Sequence, residues 1–132
     1  MAQQKKHGAL VQPAINAMLR QDFNSFARKC YAHLNPGRPL KDKWHINAIT
    51  AHLLDVSSGE TRRLRINIPP RCLKSIIVAV SYVAFEIGHD PTKMVIVVSH
   101  NQKLAAFLSA EFRKIVSSPW YKDAFPTMKG AP

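Results

Sequence analysis

Two apolar patterns of different period alternate along residues 61–117, and their order constrains the fold more than any other feature of the sequence. Residues 64–68, LRINI, alternate apolar and polar side chains with the period of a strand. Residues 94–99, MVIVVS, form a continuous apolar run typical of a strand buried on both faces. Helical periodicity follows each run, over about 74–87 and 102–117. The alternation predicts an α/β fold with parallel strands and right-handed crossovers, although two strands are few for a complete sheet.

Helical patterns also precede this region. An apolar stripe that includes Cys30 runs through residues 15–34, and a second stripe runs from Trp44 to about Ser57, where SSGE ends it near Gly59. The sequence thus predicts two N-terminal helices before the α/β part. We divide the chain into a flexible N-terminus (1–14), a helical segment (15–60) and the first part of an α/β core (61–132), whose tail after Ser117 has turn composition.

The charge of the chain is strongly positive. Lys and Arg number 19 against 8 Asp and Glu, which gives a formal net charge of +11. Such a balance favours a polyanionic partner, with nucleic acid first and an anionic membrane surface second. No apolar run approaches the length of about 20 residues that a membrane span needs, so we expect no membrane span. The densest cationic group is Arg62, Arg63, Arg65, Arg71 and Lys74.

The turn PPRCLKS, which joins the first predicted strand to its helix, has the outline of a phosphate-binding loop. The helix start offers free N–H groups and the positive end of its dipole to an anion. Lys74 would reach the β- and γ-phosphates of a nucleotide, and Ser75 would ligate Mg²⁺. The open alternative is an ordinary strand-to-helix turn with a chance Lys-Ser pair.

The loop lacks the glycines of the usual pattern, because Ile68 and Leu73 stand in their places. Two prolines remove two backbone donors. The donors that remain are the N–H groups of Arg71, Cys72, Leu73, Lys74 and Ser75. Leu73 must therefore either avoid the left-handed backbone region or accept a strain of about 1–2 kcal/mol.

Several motifs, in order over about residues 20–126, resemble the N-terminal ATPase part of the large terminase subunit of tailed bacteriophages and prophages. They are WHINAI, INIPPRCLKS, GHDP, VIVVSH and SPWYKDAFP. The resemblance implies a RecA-like P-loop ATPase core that hydrolyses ATP to drive double-stranded viral DNA into a procapsid. It also implies the small terminase subunit and the portal protein as partners, and the cytoplasm of a bacterial host as the location.

The resemblance also implies roles for particular residues. Lys74 and Ser75 become the phosphate and Mg²⁺ residues, with Cys72 and Leu73 in the same cradle. Arg71 becomes a candidate stabiliser of transition-state charge on the γ-phosphoryl group, its alternative being a surface ion pair.

An upstream motif contacts the adenine in this family, and Trp44 and His45 occupy its place. In the alternative interpretation, Trp44 packs between helix and sheet, and His45 is a solvated residue at the start of a helix.

Residues 99–102 correspond to a coupling or DNA-contact motif, but Ser99 or Asn101 is equally suited to cap the last helix.

The chain lacks the second acidic motif that the family's ATPase requires. The acids after Ser75 are Glu86, Asp90, Glu111 and Asp123, and none of them ends an apolar strand. No carboxylate cluster for a nuclease domain is present either. We therefore expect a truncated fragment that binds ATP and DNA without efficient hydrolysis, and that oligomerises only within the full-length motor. Two alternatives remain: a fragment of another P-loop ATPase or helicase, and a small basic nucleic-acid-binding protein without nucleotide chemistry.

Overall fold

The computed structural model describes residues 2–130, with side chains described for residues 11–128, and every regular element in this part is helical. The α-helices are α1 (Ala2–Gln21), α2 (Phe23–Leu34), α3 (Trp44–Ser58), α4 (Tyr82–His89), α5 (Gln102–Val116) and α6 (Pro119–Ala124), and a 3-10 helix (Pro126–Gly130) follows. A π-helical turn (Ile76–Ser81) leads directly into α4, and residues 74 and 75 begin this stretch. We call residues 74–89 the central helix. Within residues 2–130, no helix combines the length and the apolar character needed to cross a lipid bilayer.

Local signals explain where the first helices begin and end. Asp22 interrupts the predicted 15–34 pattern, because its carboxylate accepts hydrogen bonds from the N–H groups of Asn24 and Ser25 and caps α2. The segment expected to be flexible, residues 1–14, lies within the span of α1 from residue 2 onward. Helix α3 matches its predicted bounds to one residue, and Gly59 ends it at φ 83°, in the left-handed region that glycine adopts freely.

The core lies between α2, the central helix and α5–α6. The predicted stripe of α2 is confirmed, because Phe23, Phe26 and Cys30 are fully buried. Burial raises the pKa of the Cys30 thiol to about 12. Tyr121 of α6 is also fully buried, and its hydroxyl donates to the Ala84 carbonyl of the central helix at 2.7 Å. Helix α6 therefore belongs to the core, although the sequence indicated only turns there.

The predicted α/β fold is wrong, because residues 2–130 contain no strand. Residues 64–68 and 94–98 carry the expected apolar pattern, but among the described residues their backbone groups form no backbone hydrogen bond. Each segment lies beside helices and turns one row of side chains towards them; this row is half-buried in the first segment and still 42–46% exposed in the second. In the second segment Val95 and Val97 line a cavity with α5 and the central helix, whereas Met94, Ile96 and Val98 are 86–96% exposed. The period of two here marks extended segments beside helices, and the described residues form no sheet and no RecA-like core.

Candidate anion-binding site

Residues 69–73, which lead into the central helix, have an unusual backbone. Arg71 has φ 65° and Leu73 has φ 62°, and they are the two non-glycine residues with positive φ in the described part of the chain. A non-glycine residue in this region costs about 1–2 kcal/mol. Of the two possibilities for Leu73, to avoid the left-handed region or to be strained in it, the structure shows the second. Backbones of this kind turn successive N–H groups into a concave anion-binding surface.

The N–H groups of this loop are available to a ligand. Those of Arg71, Cys72, Leu73, Lys74 and Ser75 donate no hydrogen bond to any residue that the structure describes. The first hydrogen bond of the central helix runs from the Ile77 N–H to the Leu73 carbonyl at 2.9 Å. Five donors therefore lie at the positive end of a sixteen-residue helix, where an anion is most stable.

The strain at Arg71 gives a prediction about stability. We expect Arg71→Gly to raise the free energy of unfolding by about 1 kcal/mol, because glycine adopts φ 65° without steric cost. Arg71→Ala removes the same exposed side chain but keeps the strained backbone, so it is the matched control. Urea unfolding followed by circular dichroism measures the difference. Equal stabilities of the Gly and Ala variants would contradict the strain.

One cavity, which we call the groove, lies on the side of the loop that carries Lys74 and Ser75. Its volume is about 480 Å³, and the extended segments contribute Leu64, Ile66 and residues 97–100 to its walls. Lys74 forms no ion pair and the Ser75 hydroxyl no hydrogen bond with the described residues. An exposed hydroxyl at this position suits a Mg²⁺ ion that takes its remaining ligands from phosphates and water.

A second cavity, which we call the cleft, is lined by the earlier residues of the loop and shares no lining residue with the groove. Its volume is about 420 Å³, and Arg71, Cys72 and Leu73 line it together with His45 at the start of α3. The structure thus places His45 in the same cavity as the loop, and its contact with an adenine stays a prediction. Trp44 is 81% exposed and lines neither cavity, and it does not pack into the core. Its ring meets that of His45 edge-on.

The cleft also contains residues that the sequence analysis did not select. Arg38, Lys41 and Lys43 line it, and they come from the segment between α2 and α3 that was interpreted only as a helix break. The composition of GRPLKDK, with three cations and one acid, was the available signal.

Asn101 acts as the cap of α5. Its side-chain oxygen accepts from the N–H groups of Lys103 and Leu104 at 2.8 and 3.4 Å, which confirms the capping interpretation for this residue. Ser99 lies in the wall of the groove, beside Lys74 and Ser75.

The acids that follow the loop do not line either cavity. Glu86 is buried, forms an ion pair with Lys93 and accepts a hydrogen bond from Ser57. The hydrogen bond to Glu86 raises the pKa of Lys93. Glu111 forms an ion pair with Lys114 within α5. Glu86 therefore connects the central helix to α3 and to the following loop, and Glu111 forms its ion pair within one helix. The described walls of the groove contain no carboxylate that would polarise an attacking water.

Comparison with known proteins gives no relative from which a function could be transferred. No protein-family model, no curated protein and no solved structure matches the chain. The function is therefore argued from the loop, its two cavities and the quoted motifs.

Proposed function

We propose that the chain binds the phosphates of ATP with Mg²⁺ at residues 71–75 and acts as part of a phage or prophage DNA-packaging motor of the large-terminase type. The observation that carries the proposal is the left-handed backbone at Arg71 and Leu73, directly before a helix with free N–H groups. Strained backbone that persists beside a ligand-sized cavity is typical of functional sites. Lys74 and Ser75 occupy the first positions of that helix, as the proposed chemistry requires.

The polyanionic part of the proposal rests on charge. The net charge is +11, and Arg62, Arg63 and Arg65 are exposed on the extended segment that leads to the loop. These side chains are suited to phosphate contacts with double-stranded DNA. In such a motor the partners are the small terminase subunit and the portal, oligomers form only in the full-length motor, and the location is the bacterial cytoplasm.

Hydrolysis by this chain alone is expected to be slow. Arg71 is exposed and forms no ion pair with the described residues, so it is free to approach a γ-phosphoryl group. Charge stabilisation alone does not activate water, however, and the described groove residues include no carboxylate for that step. We therefore propose that the chain binds ATP. Efficient ATP hydrolysis would need an acidic residue that the described groove does not contain.

The test is an ATP titration in the presence of Mg²⁺. Lys74→Ala is expected to weaken ATP binding by roughly tenfold to a hundredfold, because it removes a charged hydrogen bond to phosphate. Lys103→Ala is the matched control, since Lys103 is an exposed lysine on the first turn of α5 and lines neither cavity. Cys72 gives a second readout: it is half-buried in the loop and Cys30 is buried, so bound ATP should slow thiol labelling at Cys72.

Unchanged ATP affinity in Lys74→Ala would contradict the proposed site. A chain that binds DNA equally well with and without ATP, and equally well with Lys74→Ala, would favour the basic nucleic-acid-binding alternative. Salt dependence alone does not separate the two, because both depend on phosphate contacts.

A further inference from the structure

The cleft contains more positive charge than the proposed loop uses. Arg38, Lys41, Lys43 and Arg71 line it, and none of them forms an ion pair with the described residues. No carboxylate belongs to the described lining of the cleft. Like charges that converge on one cavity repel each other, so a bound polyanion would relieve an unfavourable arrangement.

The structure also shows why the acid in this segment does not neutralise the cleft. Asp42 lies between Lys41 and Lys43, but its carboxylate pairs with the Arg28 guanidinium of α2 at 2.7 Å. Arg28 is itself fixed, because it donates to Asn24 at 2.6 Å and to Asn47 at 3.0 Å. The pair attaches the segment to α2 and leaves its three cations on the cleft without a counter-charge.

The shape of the cleft favours a small ligand over a duplex. A volume of about 420 Å³ lies within the range of small-molecule sites, and Leu40, Ile46 and Leu73 give it an apolar part. A duplex is instead bound by cations spaced along a surface, as are Arg62, Arg63 and Arg65. A ligand that suits the cleft carries several closely spaced negative charges for its cations and an organic group for its apolar part. A nucleoside triphosphate has both features.

We propose that the triphosphate is held from both sides of the loop, with Arg38, Lys41 and Lys43 binding it from the cleft while Lys74 and Ser75 bind it from the groove. This inference rests on the proposed nucleotide binding and adds three phosphate-binding residues to it. Arg71, which begins the concave part of the loop, belongs to the cleft side.

The experiment compares single variants that remove the positive charge and keep a polar, unbranched side chain, Arg38→Gln, Lys41→Gln and Lys43→Gln, with Lys103→Gln as the control. Calorimetric titrations use inorganic tripolyphosphate and Mg-ATP, and a short DNA duplex is the third probe. Each cleft variant is expected to weaken binding of tripolyphosphate and of ATP by roughly fivefold to tenfold. The Lys103 variant should bind both as the unaltered chain does. All of these side chains are exposed, so thermal unfolding should show an unchanged fold.

The outcomes separate this inference from the proposed function. If Lys74→Ala weakens ATP binding and the cleft variants do not, the inference is wrong and the loop site stands. If the cleft variants weaken binding and Lys74→Ala does not, the proposed role of Lys74 and the binding from both sides are wrong, and only the phosphate contacts of the cleft remain. Equal weakening of duplex and tripolyphosphate binding by the cleft variants would overturn the assignment to a nucleotide and assign the cations to the DNA backbone.

Discussion

Replacing Phe26 with alanine is expected to lower the free energy of unfolding by about 3–5 kcal/mol, the largest effect of any single substitution considered for this chain. Phe26 is fully buried at the centre of the core. Its ring contacts four other aromatic rings, with centroid distances of 5.4–6.2 Å; these are Phe85, Trp120, Tyr121 and Phe125. The substitution removes burial and ring contacts and leaves a cavity that the surrounding helices cannot fill. Domains of this size have a total stability of only about 5–15 kcal/mol, so this loss would be a large fraction of the total.

Phe107→Ala provides the comparison for Phe26→Ala in the same urea titration. Phe107 lies on α5 and is 52% exposed, so its removal should cost less than about 1 kcal/mol. Similar losses for the two variants would show that Phe26 is not the centre of the core.

Gly88→Ala is expected to destabilise the protein by about 1–3 kcal/mol, which reverses the usual preference for alanine within helices. Gly88 is buried on α4, and a Cβ atom there would lie 2.7–2.9 Å from three ring carbons of Phe125. That ring cannot withdraw freely, because its centroid lies 5.1 Å from those of His89 and Tyr121. The new methyl group therefore requires the ring or the helix to shift.

A double-mutant cycle tests this explanation of Gly88. Phenylalanine at 125 is replaced by leucine, and the cost of Gly88→Ala is measured by thermal unfolding in both backgrounds. A smaller cost beside leucine is expected, because the flat ring that meets the Cβ atom is absent. A stabilising Gly88→Ala in the original background would show that helix propensity outweighs the contact.

The helices could be predicted from the sequence because each buries one stripe of side chains. Ile46, Ile49 and Leu53 of α3, and Val80 and Ala84 of the central helix, are buried as their periodicity indicates. Helix α6 was missed because its aromatic residues follow Ser118 and Pro119 and have turn composition. Proline at the first helical position, observed at Pro119, was the signal that marked its start.

The fold class could not be predicted because periodicity reports which side chains are buried and not which backbone groups pair. Residues 64–68 half-bury alternate side chains against the helical core, as a strand would pack them against a sheet. The sequence contains no local signal for the absence of a hydrogen-bonded neighbour. The alternation was therefore assigned to a sheet that the described residues do not form.

The backbone of the candidate loop could be predicted in part, since one short motif placed Lys74 and Ser75 at a helix start and left strain at Leu73 as one of two possibilities. The cations of the cleft could not. Their position depends on the pair between Arg28 and Asp42, which are fourteen residues apart in sequence and belong to different elements. Contacts of this kind leave no trace in a local pattern, so Arg38, Lys41 and Lys43 looked like an ordinary basic turn.

The exposed segment 94–98 sets the conditions under which this protein stays dispersed. Five uncharged aliphatic side chains in a row, with backbone groups that are not paired among the described residues, are a template on which other chains can add as in a growing fibril. The mutual repulsion of chains that each carry +11 opposes such growth at low ionic strength. Added salt shortens the reach of that repulsion from about 10 Å at 0.1 M to about 3 Å at 1 M. Colloidal stability is therefore highest in dilute buffer.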